Sequence, residues 1–277
     1  MRRFLRGLLR NPVGMIGAVL SAVVLLGAIA APWLATHGPF EQSIVERFQG
    51  PSGAHLLGTD NFGRDTFSRV LHGTRASVTV AFGSVGIATL LGTLIGLTAA
   101  YLGGWSDRLL MRTMDVFLAF PIILLAIGIL AVLGPGTQNT AFAIAIVYTP
   151  IFARLARGPA LSVLSWDYVS AARALGASGP RIVLRHVLPN VTAPILVQTT
   201  LSLSTAILVE ASLSFLGLGT QPPNPSLGLM LSDSRDYMLL SPWVSFFSGL
   251  AILTASLGFN LFGDALSAPE VHRCCSQ

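Results

Sequence analysis

The sequence predicts an all-α membrane protein with six transmembrane helices, and three observations carry that expectation. The 277 residues are 52% hydrophobic and only 10% charged, whereas a soluble domain carries about 25% charged residues. Mean hydropathy is +0.70. Six apolar stretches approach or exceed the ~20 residues that cross a hydrocarbon core: Val13–Ala35, Ser77–Leu102, Val116–Leu133, Thr140–Leu155, Thr192–Leu216 and Trp243–Phe262.

The first stretch follows a basic front of Arg2, Arg3, Arg6 and Arg10. Ala28-Ile29-Ala30 resembles a signal-cleavage site, but the apolar run exceeds a signal core and Pro32 sits just past the supposed cut, so an uncleaved first span is expected. The outer loop after it, Thr36 to about Ala76, holds Asp65 and Arg69 at i, i+4. That spacing predicts a self-paired short helix capped by Thr59 or Asp60. The second stretch carries Gly83, Gly86, Gly92 and Gly96, a small-residue spacing suited to close helix packing. Asp115 lies near the start of the third, within reach of Arg112 or Arg108, as an anchor or, alternatively, a proton relay. The fourth is the shortest and is expected to lean on Arg154 and Arg157 snorkelling to the interface.

The fifth stretch carries Gln198, Ser202 and Thr205 as a polar stripe at helical spacing. Glu210 is its carboxylate, and an ionisable group in a membrane is a functional candidate by default. It lies about 120° round from Gln198, on the side of Thr199 and Ala206. A neighbouring helix, a partner subunit and a translocation path are therefore all open to it. Gln198, Ser202, Thr205 and Glu210 are the candidate path residues. Three segments result: a first span and outer loop (1–76), a transmembrane domain (77–266) and a tail (267–277) ending in the adjacent Cys274 and Cys275.

Six spans place both termini on one side with twelve arginines: 2, 3, 6, 10, 108, 112, 154, 157, 173, 181, 185 and 273. Five arginines, at 47, 64, 69, 75 and 235, fall on the other. The positive-inside rule puts the larger set, and both termini, in the cytoplasm. A polar island, Asp167 to Pro189, lies on that side. Asp167 or Ser165 is placed to cap a short helix over Tyr168–Leu175, with Val169, Ala172 and Leu175 or Gly176 near one face. Gly176 suits the left-handed residue that ends such a helix. Pro180 suits the first turn of a second helix, capped by Ser178 or Gly179, which runs to Val187 until Pro189 interrupts or kinks the entry to the next span.

This island resembles the cytoplasmic EAA loop of ABC-importer permeases. Ala171, Ala172, Gly176, Leu188 and Pro189 stand at the motif's spacing. Ser170 replaces its Glu, and His186 replaces its Ile. His55-Leu56-Leu57-Gly58-Thr59-Asp60, Gly63-Arg64-Asp65, Ala119-Phe120-Pro121, the run Glu210 to Gly219 and Gly263-Asp264-Ala265-Leu266 are similar to motifs of the dipeptide/oligopeptide/nickel permeases, C-type subunit. The resemblance implies a type I ABC importer permease fold with a cytoplasmic coupling helix in the bacterial inner membrane. It implies a second homologous permease, two ATP-binding subunits that carry ATP and Mg, and an extracytoplasmic solute-binding protein as partners. Ser170, Ala171, Ala172, Arg173, Gly176, Leu188 and Pro189 become the candidate ATPase-coupling residues, with Arg181 and Arg185 adding positive charge.

The remaining chemistry is mostly exclusion. All 17 basic residues of the Lys and Arg class are arginine. A Walker-type phosphate loop needs its lysine, so any ATP must bind another chain, and this one is expected to be a non-catalytic subunit. The histidines at 37, 55, 72, 186 and 272 show no metal-ligand spacing. The arginines follow topology rather than a nucleic-acid surface. Import of dipeptides or oligopeptides is the expected function. A nickel or other small-solute ABC importer, and an ion-gradient-driven secondary transporter, are the alternatives.

Overall fold

A computed structural model describes the backbone of residues 12–274 and side chains as far as 267. The N-terminal arginines at 2, 3, 6 and 10 and the tail cysteine Cys275 lie outside the described residues. The side chains of Arg273 and Cys274 do too. The described residues form ten α-helices: α1 Pro12–Leu34, α2 Thr66–Leu102, α3 Gly104–Leu118, α4 Ile122–Leu133, α5 Thr137–Leu164, α6 Asp167–Ala174, α7 Gly179–Ile182, α8 Leu188–Phe215, α9 Leu227–Asp233 and α10 Trp243–Cys274. Five helical stretches are long and apolar enough to cross a membrane; the α3–α4 pair makes a sixth if counted as one span.

That third span departs from expectation. Val116–Leu133 is not one helix: α3 and α4 meet at 95°. Pro121 explains the break, because it lacks an N–H, clashes with the carbonyl four residues back and drives its neighbour out of helical geometry. Its own φ/ψ of −57°/133° is extended. The first span matches expectation to within one residue at each end, and the others run longer. α2 begins at Thr66 rather than Ser77, α5 covers Thr137–Leu164 rather than Thr140–Leu155, and the fifth span runs continuously from Gly179.

α2 is the centre of the bundle and packs on α5, α8 and α1, while α10 closes the far side against α1 and α8. Backbone proximity decides these crossings. A Cβ on Gly92 would stand 2.5 Å from the Thr149 carbonyl oxygen of α5, and one on Gly96 would stand 2.3 Å from that of Ala153. Gly83 and Gly86 face open space and take no part. Gly17 of α1 abuts α10 in the same way, 2.4 Å from the Phe262 nitrogen. Without a hydrophobic drive between helices in lipid, such close approaches supply the packing.

The arginines of α5 pair rather than snorkel. Arg157 donates to both oxygens of Asp107 on α3, each at 2.5 Å. Arg154 takes Asp115, the partner that Arg112 or Arg108 was expected to supply. These pairs fasten α3 along α5.

At the opposite end of α2 from these pairs, the loop 35–65 folds into a self-satisfied cap. Asp65 is not the ion partner of Arg69. It is the N-cap of α2, accepting the Ser68 N–H at 2.8 Å. Arg69, 2% exposed, reaches Asp60 at 3.7 Å and donates to the Pro39 carbonyl at 2.9 Å. Asp60 also holds Arg64 at 2.6 Å. Burial pushes the nearby Asp233 carboxyl up, against the opposing pull of Arg64 and Arg69.

Candidate functional site

The 166–191 segment is a protruding structure with a buried root. α6 starts after Trp166, which occupies the cap position in place of Asp167 or Ser165; no side chain caps it. It ends in a Schellman motif. The Ala177 N–H donates to the Ala172 carbonyl and the Gly176 N–H to that of Arg173, both at 3.0 Å. This geometry requires the left-handed φ of +82° found at Gly176. Pro180 sits in the first turn of α7, as its fixed φ favours.

Pro189 does not interrupt the chain. A π turn over Val183–Val187 takes up the strain, with the Leu188 N–H bonded to the Val183 carbonyl, five residues back. Pro189 then falls in the first turn of α8, where its missing N–H costs nothing extra. The Asn190 side chain satisfies the His186 carbonyl at 2.7 Å and donates to the Tyr168 hydroxyl at 3.2 Å. His186, which departs from the EAA pattern, packs its ring 5.9 Å from that of Tyr168.

Val169, Ile182 and Val187 are buried in the main core. A Cβ on Gly179 would meet the Tyr101 hydroxyl of α2 at 2.5 Å, so the segment rests directly on the end of that helix. The outward face is mostly small or charged, with Leu175 and Leu184 as exposed apolar side chains among them. Ser170, Ala171, Arg173, Ala174, Gly176 and Pro189 are exposed, Ala172 and Leu188 half-buried. Of the residues that helical spacing puts near one face, Val169 is buried and Ala172 half-buried, while Leu175, just past the helix end, is 89% exposed and Gly176 is exposed. Arg173, Arg181 and Arg185 are exposed and make no ion pair among the described residues. The arrangement is a rigid knob whose outer surface lets another backbone approach closely.

The candidate path residues separate on α8. Gln198 is half-buried and donates to Ser202 Oγ at 3.2 Å. Ser202 is itself buried and Thr205 is exposed. Gln198 also lines a cavity of about 470 Å³ with Leu118, Ile151, Arg154, Leu155 and Pro159. Glu210 does not share this face. It turns to α2, accepting from Ser77 Oγ at 2.5 Å and Ser214 Oγ at 2.7 Å, and is 1% exposed. Thr199 likewise meets Thr89 of α2 at 3.3 Å. Glu210 is therefore sealed from any path in this conformation and braces α8 to α2.

This predicts an ordered stability series. Glu210→Ala leaves two buried hydroxyls without an acceptor, at about 1–3 kcal/mol for each unsatisfied group. Glu210→Gln keeps one acceptor oxygen and is expected to lose less. Thermal unfolding of the detergent-purified variants measures the order, and equal losses in both remove the brace.

Residues 92–268 match the family described as binding-protein-dependent transport system inner membrane component. Residues 1–51 match the N-terminal TM domain of oligopeptide transport permease C. The chain is 46% identical over 265 residues to the dipeptide transport system permease protein DppC of Alkalihalophilus pseudofirmus, covering 96% of this chain and 87% of that protein. It is 42% identical over 272 residues to the di/tripeptide transport system permease protein DppC of Pseudomonas aeruginosa, covering 96% and 90%. An inward-facing structure of the MetNI methionine ABC transporter matches with a TM-score of 0.59 at 18% identity, over 76% of this chain and 97% of that one, and shows the same fold. The fold of this bundle of apolar helices thus has its counterpart in a known permease, and this chain belongs to the family of binding-protein-dependent transport system inner membrane components, the permeases of ABC importers.

Proposed function

We propose that this chain forms half of the translocation pathway of an ATP-driven importer of dipeptides and oligopeptides, with a second homologous permease forming the other half. The observation that carries the reading is the 166–191 knob, which exposes small and cationic residues together with Leu175 and Leu184 and is anchored inside by Val169 and Ile182. It is suited to receive a push from a docked ATPase and transmit it to α2 and α8. Ser170, Ala171, Ala172, Arg173 and Gly176 form the docking surface in this reading, while Leu188 and Pro189 join it to α8. Two ATP-binding subunits supply ATP and Mg, and an extracytoplasmic binding protein supplies the solute.

The knob and both termini face the cytoplasm of a bacterial inner membrane in this reading, supported by the arginine asymmetry. The chain itself is non-catalytic. Gln198, Ser202 and Thr205 face the path. The peptide assignment rests on the dipeptide and di/tripeptide permeases named above.

The test is reconstitution of the four-component transporter with its binding protein in proteoliposomes. ATP-dependent uptake of a labelled dipeptide, insensitive to collapse of the proton gradient, is expected. Uptake of Ni²⁺ in place of peptide reassigns the cargo, and uptake that follows the gradient without ATP overturns the ABC reading. Single cysteines at Gln198, Ser202 and Thr205 should react with a small thiol reagent in at least one transport state; silence at all three removes the stripe from the path.

A further inference from the structure

His37 and His55, which look scattered in the sequence, converge on Asp65 at the outer start of α2. We propose that His37, His55 and Asp65 form a binding site for a divalent transition-metal ion of the Zn²⁺ type. The donor atoms of the three residues lie within 4.8 Å of one another. Asp65 Oδ1 is 3.0 Å from His55 Nδ1 and 3.9 Å from His37 Nδ1. Ligands each about 2.0–2.2 Å from a metal stand at most about 4.4 Å apart. Both distances from Asp65 meet that bound, and the widest pair has to close by no more than a few tenths of an ångström.

The support around these three residues has the form of an outer shell. The second oxygen of Asp65 is held by the Ser68 N–H at 2.8 Å and by the Thr36 hydroxyl at 3.4 Å, which leaves Oδ1 aimed at the histidines. His55 is buried, and its other nitrogen, Nε2, faces the Glu46 carboxylate at 3.8 Å. At that distance Glu46 is not hydrogen-bonded to the ring, but its half-exposed side chain has to close by only about 1 Å to accept from Nε2–H, as an outer-shell carboxylate behind a metal-bound histidine does. The His37 N–H is bonded to Ser68 Oγ at 3.1 Å, so its backbone is tied to the first turn of α2. The His37 ring is partly exposed, which opens a route for the ion.

Two imidazoles and one carboxylate suit Zn²⁺ and its neighbours; Ca²⁺ takes six to eight oxygen ligands and Mg²⁺ a near-octahedral oxygen set. Three protein ligands leave a fourth position for water or for a group on a docking partner. The bound ion staples the segment after α1 to the start of α2. The sequence gives no sign of this because no two of the three residues are close enough for a short motif; the loop between them closes only through its own hydrogen bonds.

The experiment uses the full chain carrying Cys274→Ser and Cys275→Ser, so that tail thiols bind nothing. The protein is stripped with chelator and titrated with Zn²⁺, with metal content and thermal unfolding as readouts. Co²⁺ in place of Zn²⁺ reports nitrogen and oxygen ligation through its visible spectrum. One Zn²⁺ per chain is expected, with a rise in the unfolding temperature. His37→Ala, chosen because that side chain is partly exposed, should remove both binding and the rise while unfolding like the stripped parent. Glu46→Gln should weaken binding about 10–100-fold, and His72→Ala should leave it unchanged. Substoichiometric Zn²⁺ in the parent overturns the proposal. So does binding that survives His37→Ala, or binding lost equally with His72→Ala.

Discussion

Gly176→Pro is expected to stop solute uptake while the assembled transporter continues to hydrolyse ATP. The left-handed φ of +82° at this position is closed to proline, whose ring holds φ near −65°. The substitution also deletes the N–H that donates to the Arg173 carbonyl. A cost of about 3 kcal/mol or more reduces the population of the intact Schellman turn about a hundredfold. A docked ATPase then pushes on a segment that yields. Gly176→Ala separates conformation from crowding, because nothing lies within 4 Å of an added Cβ. Its cost is the left-handed penalty alone, about 1–2 kcal/mol, so coupling should fall by roughly tenfold. Uptake and ATP hydrolysis measured on the same proteoliposomes give the ratio. If Gly176→Pro leaves the ratio unchanged, whether it lowers both activities equally or neither, the assignment of this turn to transmission fails.

The second large effect is expected in the interior. Gly96→Leu should prevent α2 and α5 from closing, since even the first carbon would stand 2.3 Å from the Ala153 carbonyl oxygen and 3.0 Å from the Ala156 side chain. Neither neighbour can rotate away, because one is backbone and the other has no rotamer. Overpacking of this kind costs typically about 1–3 kcal/mol and occasionally more, and a backbone clash belongs at the upper end. The purified chain should unfold at a markedly lower temperature or fail to stay monodisperse. Gly83→Leu, in open space on the same helix, should leave the unfolding temperature of the isolated chain near that of the parent. Equal losses from the two substitutions would show that composition of α2, not its crossing with α5, sets stability.

The contrast between Gly96 and Gly83 marks where the sequence was legible. Apolar length located five of the six spans, because crossing a bilayer fixes a minimum run of residues; the third, Val116–Leu133, is broken at Pro121. The Gly176 turn was legible as well, since local backbone geometry dictates its residue. Positions that depend on what lies across a helix crossing were not. Of the five glycines of α2, the sequence singles out Gly83, Gly86, Gly92 and Gly96 at intervals of three to six residues, and only the rotation of α2 against α5 separates Gly92 and Gly96 from the other pair. The α1–α10 contact through Gly17 carried no pattern at all, because its partners are more than 240 residues away. The outer loop misled for a similar reason. Asp65 and Arg69 have ideal spacing for a helical pair, but Asp65 is drawn to the helix terminus, where the free Ser68 N–H needs an acceptor, and Arg69 finds Asp60 instead. Arg154 and Arg157 read as snorkelling because their partners, Asp115 and Asp107, come from a helix that Pro121 turns aside.

α2 has no proline along its 37 residues, and its tightest crossing lies close to one end. From Gly92–Gly96 to Tyr101, which touches the knob, is about 10 Å; from the same crossing to Thr66 is about 42 Å at 1.5 Å per residue. The helix is thus a lever with unequal arms and a fulcrum formed where two backbones meet. Turned about that point as a rigid body, a displacement of about 1 Å at Gly179 becomes one of about 4 Å at the opposite end. Unequal arms exchange force for travel, so under the proposed coupling role a short stroke against the knob would be amplified about fourfold at the far end of α2.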